Sequence, residues 1–274
     1  MNDQRRVLMQ VAVAAMAGAG SGGVGAGAAP AAPGAAPVHD MGAFPPEWTG
    51  SEQIAMLLYP GFTALDLVGP HHMLASLIGA EVHLVAKTLA PVLSDMQLAI
   101  VPTLDFEHCP RALDILFVPG GGQGTLDAMR DAATVDFIRE RGLVAKQIVS
   151  VCTGSLLLGQ AGLLRGYRAT SHWVTHDLLR EFGARPVKRR VVVDRNRVTG
   201  AGVSAGLDLG LALVQQHRDR LYAQSVQLLA EYAPEPPLAA GSPQTAPKRA
   251  VDLVAGMFTD FRAEVRATAA DARR

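Results

Sequence analysis

VSVCTGSLLLG, Val149 to Gly159, contains an abrupt change of local structure around a single cysteine. The β-branched residues before Cys152 predict the end of a short buried strand, and the apolar run after Thr153 predicts a helix. A strand that turns directly into a helix leaves one residue at the bend, which is Cys152. The unpaired N–H groups at the helix N-terminus would lower the pKa of its thiol. The pattern indicates either a nucleophile elbow or a buried structural cysteine.

Short apolar runs alternate with helical patterns over residues 51–233. This predicts an α/β domain with a mostly parallel sheet sandwiched between helices. Strands are predicted at Gln53–Leu58, Glu81–Ala86, Asp114–Val118 and Gln147–Val151, with an excursion at Pro91–Val101 that turns at Ser94-Asp95 and a hairpin of Val187–Asp194 with Arg197–Thr199. Helices are predicted from Thr63 or Ala64 to Ile78 and at Thr125–Ala128, Thr134–Leu143, Val174–Phe182, Ser204–Gln216 and Asp219–Glu231.

The composition excludes several classes of protein. The 274 residues carry 25 Lys and Arg against 25 Asp and Glu, and this zero net charge gives no sign of a nucleic-acid-binding surface. Two cysteines, Cys109 and Cys152, are too few for a disulfide scaffold or a zinc ribbon. His71, His72 and His176 lack the spacing of metal ligands, so no metal site is predicted.

Residues 1–50 are predicted to be an export signal followed by a disordered Gly/Ala/Pro linker. Arg5-Arg6 precede a short apolar run to Ala17, and the tract rich in small residues continues to Pro37. This order is typical of an export signal, and the paired arginines favour the twin-arginine route to the periplasm or the outside of the cell. A general secretory signal and a disordered extension are the alternatives, and without export the protein would be cytoplasmic. The apolar run is too short for a stable membrane span.

Residues 234–274 continue the chain beyond the α/β domain. Pro234–Pro247 predicts a Pro-rich loop. The apolar spacing after Arg249 predicts one amphipathic helix that ends at about Ala267.

Three segments are predicted to lie at the carboxyl edge of the sheet, where open parallel sheets bind their ligands. They are Asp66 after the first strand, Gly120–Gly122 after the third and Cys152 after the fourth. The glycines allow backbone N–H groups to approach a developing anion, with Gly121 and Gly122 as candidate oxyanion or substrate-binding residues. An ordinary glycine loop is the alternative. A dinucleotide site is disfavoured because VPGGGQGT does not fit G-x-G-x-x-G.

Other candidate residues have two interpretations each. Asp66 either complements a helix N-terminus or is buried in the cleft with a raised pKa, able to donate a proton. His172, twenty residues after the cysteine, is either a base or substrate-binding group or a packed structural histidine. Cys109 precedes Pro110 in a polar loop and has no predicted role. A Cys109–Cys152 disulfide is conceivable after export, but it would occupy the nucleophile.

Several ordered motifs resemble the DJ-1/PfpI superfamily of class I glutaminase-like domains. They are FVPGGGQGT from Phe117, SVCTGSLLLGQAGLLRGYRATSHW from Ser150 and VTGAGVSAGLDLGL from Val198, within a likeness that covers roughly Ile54 to Pro243. FTALDLVGP from Phe62 is similar to the acidic motif of the isonitrile hydratase branch, which has Asp where other branches have Glu. The resemblance implies the flavodoxin-like fold of this superfamily.

The resemblance also implies roles for individual residues. Cys152 would be the nucleophile, Asp66 the acid and base, and Thr153 an active-site hydroxyl. The implied reaction adds water to an isonitrile, a small-molecule substrate, to give an N-substituted formamide through a cysteine thioimidate. It needs neither a metal nor an organic cofactor, and the implied assembly is a homodimer.

Other members of the superfamily supply alternative functions. Thr153 stands where the peptidase-like branch has His, and Asp66 stands where the redox and chaperone branch has Glu. A non-catalytic, thiol-protective or redox-sensing protein remains an alternative, because a reactive cysteine would serve it equally. The sensor domains of AraC-type regulators share a similar elbow, but residues 234–274 have no room for their paired helix-turn-helix units.

Overall fold

The computed structural model describes residues 44–271. The predicted Arg5-Arg6 signal and the tract that ends at Pro37 lie outside the described residues. Packing begins before the predicted start of the domain at residue 51, because Trp48 is buried. Its indole N–H donates to the Asp219 carboxylate at 2.7 Å, and its ring meets Tyr222 edge-on, with the ring centroids 4.9 Å apart.

A seven-stranded sheet forms the centre of the domain. The strands of the described chain are β1 Gln53–Leu57, β2 Glu81–Ala86, β3 Val92–Leu93, β4 Ala99–Ile100, β5 Leu104–Asp105, β6 Ile115–Val118, β7 Gln147–Val151, β8 Arg168–Ala169, β9 Arg185–Pro186, β10 Val191–Asp194 and β11 Arg197–Gly200. The main sheet has the order β10-β11-β7-β6-β1-β2-β5, and only the pairing of β10 with β11 is antiparallel. The predicted mostly parallel sheet is confirmed, and β6 and β7 are buried along their whole length, as apolar central strands should be.

Helices flank this sheet as two packed groups. The α-helices of the described chain are α1 Ala64–Leu74, α2 Gln123–Arg130, α3 Ala132–Val144, α4 Gly154–Gln160, α5 Ala205–His217, α6 Arg220–Leu229, α7 Lys248–Met257 and α8 Thr259–Asp271. One group consists of α1, α5 and α6, and the other of α2, α3 and α4 with α8. No helix within residues 44–271 has both the length and the apolar character that crossing a membrane requires.

The helices α1 and α5 pack closely against each other. A Cβ atom added to Gly206 would lie 2.9 Å from Cγ of Pro70, so only glycine allows the two helices to approach this closely. Pro70 lies inside α1 without ending it, although it leaves the carbonyl of residue 66 without its helical N–H partner. The helix ends at Leu74, four residues before the predicted end.

Two other helical predictions differ from the structure. The segment predicted as a helix at Val174–Phe182 is a 3-10 helix, His176–Phe182. The single predicted C-terminal helix is wrong, because the chain forms α7 and α8 with a break at Phe258. The Phe258 ring lies 5.8 Å from the Phe261 ring, edge to face, and 6.1 Å from the His172 ring. These ring contacts therefore lie at the break between α7 and α8.

Candidate active site

Cys152 occupies the predicted bend between β7 and α4. Its φ angle is +57°, in the left-handed region that a residue with a side chain adopts only under constraint. Its N–H donates to the carbonyls of Gly200 and Ala201 at 3.2 and 2.7 Å. Its carbonyl accepts hydrogen bonds of 3.1 Å from the hydroxyls of Ser155 and Ser171. Partners on both sides of the residue therefore maintain the strained elbow.

The ends of three adjacent strands bring Asp66, Gly120 and Cys152 together. Asp66 lies in the first turn of α1, Gly120 follows β6, and Cys152 follows β7. The Gly120 N–H donates to Oδ2 of Asp66 at 3.0 Å. A Cβ atom added to Gly120 would lie 2.8 Å from that oxygen and 2.6 Å from the Thr153 nitrogen. A glycine is needed here because the acid and the elbow approach the loop from two sides.

Asp66 is a fully buried carboxyl group with only part of its hydrogen-bonding capacity used. Its exposed fraction is 0%, and within the described chain its Oδ1 atom has no hydrogen-bond partner. Burial raises the pKa of Asp66 to about 7, against the opposing effects of the Gly120 N–H and the Cys152 thiol. The group therefore exchanges a proton near neutral pH, as a general acid and base must.

The predicted lowering of the Cys152 pKa is wrong. Burial, and then the negative charge of Asp66, raise the pKa of this thiol well above its ordinary value, while the amide and hydroxyl of Thr153 oppose the rise. The side chain is 5% exposed, and α4 has only two turns to set against this desolvation. In the resting site Cys152 is a protonated thiol beside Asp66 rather than a free thiolate.

Thr153 binds the glycine loop through its hydroxyl group. Its Oγ1 accepts the N–H of Gly121 at 2.9 Å and donates to the Gly121 carbonyl at 2.6 Å. The same oxygen lies 2.9 Å from the Thr125 hydroxyl, which in turn lies 3.0 Å from the Tyr59 hydroxyl. Sequence analysis missed Tyr59 and Thr125. Their signal was available, because one follows the first strand and the other follows the glycine loop at the same edge.

The remaining predicted site residues lie around this centre. The Gly121 N–H is bound to Thr153, whereas a Cβ atom added to Gly122 would meet no atom within 4 Å. His172 lies on the far side of Cys152 from Asp66 along the sheet, with its ring against Gly202. Its Nδ1 accepts the Val174 N–H at 3.4 Å, and burial lowers its pKa, which favours the neutral ring.

Cys109 lies away from the site. It follows the edge strand β5, and three strands separate β5 from β7, a distance of four strand spacings or roughly 19 Å. Both cysteines are free and buried, and the Cys109 carbonyl accepts a hydrogen bond from Arg141 of α3, so the conceivable disulfide between Cys109 and Cys152 is not formed. Within residues 44–271, no group of three or more His, Cys, Asp or Glu side chains could hold a metal ion.

The site lies in a part of the chain that matches a known protein family. The DJ-1/PfpI family profile matches residues 52–216, which include the Asp66 turn, the glycine loop and the elbow. The chain belongs to the DJ-1/PfpI family. A member with a crystal structure, a ThiJ/PfpI family protein from Pseudomonas syringae, is 54% identical with a TM-score of 0.82, and the match covers 85% of this chain and 98% of that protein.

Two curated relatives differ in how much of their length this chain matches. The isonitrile hydratase of Pseudomonas putida is 54% identical over 201 residues, which are 73% of this chain and 87% of the relative. The HTH-type transcriptional regulator GbdR of Pseudomonas aeruginosa is 30% identical over 184 residues, which are 64% of this chain but 49% of the regulator. The chain thus matches nearly the full length of the first relative and about half of the second.

Proposed function

We propose that this protein is an isonitrile hydratase, which converts an isonitrile and water into an N-substituted formamide. The observation that carries the proposal is the buried pair of Cys152 and Asp66, which has one carboxyl oxygen unpartnered and a pKa near 7. An enzyme with this activity from Pseudomonas putida is 54% identical and is matched over 87% of its length. The pair fits the chemistry of the isonitrile carbon.

The first half of the reaction joins the thiol to the isonitrile. The terminal carbon of an isonitrile carries a lone pair that accepts a proton, and the protonated carbon is electrophilic. The Asp66 carboxylate takes the proton of the Cys152 thiol and delivers it to this carbon, while the sulfur forms a bond to the same carbon. The product is a thioimidate, R–N=CH–S–Cys, and Asp66 is a carboxylate again. The raised pKa of Cys152 suits this order of steps, because the proton leaves sulfur only when the substrate can receive it.

The second half adds water and releases the enzyme. The Asp66 carboxylate accepts a proton from water as the oxygen bonds to the thioimidate carbon, and the nitrogen receives that proton. The tetrahedral intermediate then breaks its C–S bond and yields R–NH–CHO. The hydroxyl proton returns to sulfur through Asp66. The balance is one isonitrile and one water consumed for each formamide, with no oxidant or reductant.

The surrounding residues hold the pair and the developing charge in place. Thr153 keeps its hydroxyl on Gly121, so its role here is to fix the glycine loop rather than to orient water. The Thr153 amide supports negative charge on sulfur, since it lowers the pKa of Cys152. Gly122 borders open space at the loop, where its backbone meets the substrate. His172 forms the neutral, half-buried opposite wall.

Direct assay with cyclohexyl isonitrile tests this proposal. We expect N-cyclohexylformamide to accumulate with purified protein and not with the Cys152→Ser variant. Binding of the isonitrile without turnover would favour a sensor module, the class suggested by the partial match to GbdR. Oxidation of Cys152 by low peroxide concentrations, without either binding or turnover, would favour the redox-sensing alternative.

Export and self-association complete the proposal. The paired Arg5-Arg6 support export by the twin-arginine route, so mature protein from the native host should begin between about Ala26 and Ala36. Intact Met1 in the cytosol would contradict this.

The family resemblance supports a homodimer, and light scattering should give twice the mass of one chain.

A further inference from the structure

Three buried hydroxyl groups form a continuous chain behind the glycine loop. The hydroxyl oxygen of Tyr59 lies 3.0 Å from that of Thr125, which lies 2.9 Å from that of Thr153. The three residues are 3%, 0% and 2% exposed, so water does not compete for these contacts. Each hydroxyl has a single proton, and a backbone carbonyl of the loop accepts it in each case, so the contacts between the hydroxyl oxygens add no further hydrogen bond.

This hydroxyl chain holds the loop backbone on both sides of its first glycine. The Tyr59 hydroxyl donates to the Pro119 carbonyl at 2.9 Å. The Thr125 hydroxyl donates to the Gly121 carbonyl at 2.8 Å, and Thr153 contacts both the N–H and the carbonyl of Gly121. Burial raises the pKa of Tyr59 well above its ordinary value, so the phenol keeps its proton throughout the working range of pH.

Gly120 lies between these two anchored neighbours, and its N–H is the hydrogen-bond donor to Asp66. This backbone hydrogen bond reaches Oδ2 of Asp66 at 3.0 Å. Its geometry depends on the peptide plane between Pro119 and Gly120. The carbonyl of that plane is the one that Tyr59 holds.

We infer that Tyr59 and Thr125 are positioning residues of the reaction, which hold the Gly120 N–H on Asp66 through the Pro119 and Gly121 carbonyls. They touch neither the substrate nor the reacting atoms. Their effect is transmitted through one peptide group, and it sets both the orientation of Asp66 and the pH at which Asp66 gives up its proton.

A purely structural role is the competing explanation. Most buried hydroxyl groups have hydrogen-bond partners, and Tyr59 and Thr125 would then stabilise the fold without influencing Asp66. The two explanations differ in one observable. The Gly120 N–H lowers the pKa of Asp66, so a loosened loop must raise the pH at which Asp66 ionises. Lost stability alone leaves that pH unchanged.

Tyr59→Phe and Thr125→Val are the test variants. Thr125→Ser restores the hydroxyl, and Tyr222→Phe is the matched control. Tyr222 is a buried tyrosine at the other end of the sheet, and its hydroxyl also makes two hydrogen bonds, to Ser76 and Ile78. Melting temperatures would show comparable losses of stability for the two tyrosine variants.

Two pH profiles are measured for each variant: kcat/KM with cyclohexyl isonitrile, and the rate of Cys152 alkylation by iodoacetamide. A net hydrogen bond of about 1 kcal/mol corresponds to a shift of roughly 0.7 pH units. We therefore expect the lower inflection of both profiles to move to higher pH by about that amount in Tyr59→Phe and Thr125→Val. At the plateau, kcat should fall by about tenfold or more with little change in KM. Thr125→Ser and Tyr222→Phe should match the wild type.

The alkylation profile separates this assignment from the proposed reaction, on which it otherwise rests. A shifted alkylation profile without isonitrile turnover would support the positioning role and reject the hydratase proposal. Unshifted profiles in Tyr59→Phe, or a shift equal to that of Tyr222→Phe, would overturn the positioning role. Tyr59→Phe is nearly isosteric, so it decides the matter even if Thr125→Val does not fold.

Discussion

The two sides of Cys152 differ in what their side chains do. On one side Asp66 is buried, with an unpartnered oxygen and a pKa near 7, and the hydrogen bonds around it converge on the glycine loop. On the other side Ser171 and Ala201 hold the cysteine backbone, and His172 lies beyond them as a neutral ring. The acid side thus supplies a proton that can move, while the histidine side supports the elbow. This asymmetry favours the proposed reaction, in which Asp66 and not a histidine acts as the base.

Removing the nucleophile should produce the largest effect. Cys152→Ser keeps the elbow, because the change is nearly isosteric, but it replaces the attacking sulfur. We expect isonitrile turnover to fall by about a thousandfold or more. The matched control is Cys109→Ser, which removes the other buried thiol and should leave kcat unchanged. Equal losses of turnover in both variants would show that the activity does not depend on Cys152 in particular.

Removing the acid should cost less than removing sulfur and more than any change on the histidine side. Asp66→Asn keeps the shape and an acceptor for the Gly120 N–H, but it cannot carry the proton. We expect kcat to fall by roughly a hundred- to ten-thousandfold. Asp66→Glu keeps the acid in a displaced position and should retain activity between wild type and Asn. Wild-type kcat in Asp66→Asn would return Asp66 to the role of a helix-end charge.

The pH dependence of turnover should follow the ionisation of Asp66. In the proposed reaction Cys152 and Asp66 share one proton, so kcat/KM should rise with pH up to an inflection near 7, where Asp66 ionises. The raised pKa of Cys152 then keeps the profile level into the alkaline range. Below the inflection the rate should change by about tenfold per pH unit. A rate that falls as pH rises through 7 would contradict the shared-proton scheme.

Changes on the histidine side should have a smaller effect. His172→Ala removes a ring that packs on Gly202 and Phe258, and it leaves the Cys152–Asp66 pair in place. We expect kcat to fall by less than about tenfold, well short of the loss that removing a general base causes. A loss as large as that of Asp66→Asn would assign His172 to the chemistry and remove the asymmetry between the two sides.

The smallest expected effect of the buried Asp66 carboxyl is on the pH dependence of the free energy of unfolding. The folded pKa of Asp66 is raised from 3.8 to about 7, so between these values the folded state retains a proton that the unfolded chain has lost. The free energy of unfolding should therefore decrease as pH rises through this window and then level off, by an amount on the order of a few kcal/mol at most. Urea titrations should show this decrease in the wild type and lose most of it in Asp66→Asn. An identical decrease in both proteins would exclude Asp66 as its source.

The sequence predicted the parts of the site that local pattern controls. The strand and helix around Cys152 were sufficient to place the bend, and parallel strands were sufficient to put Asp66 and Gly120 at the same edge. The pKa of Cys152 could not be predicted, because it depends on burial and on a carboxylate that approaches from a distant segment. The break at Phe258 was missed because the apolar spacing continues across it from α7 into α8.

Capture of the covalent intermediate tests the central claim most directly. Wild-type protein is mixed with excess cyclohexyl isonitrile, quenched at intervals with borohydride to reduce the thioimidate, and mapped by mass spectrometry. We predict that the peptide containing Cys152 gains the mass of one isonitrile plus two hydrogens, and that the same peptide in Cys152→Ser gains nothing. Formamide production at the wild-type rate with no adduct on Cys152 at any quench time would contradict the account.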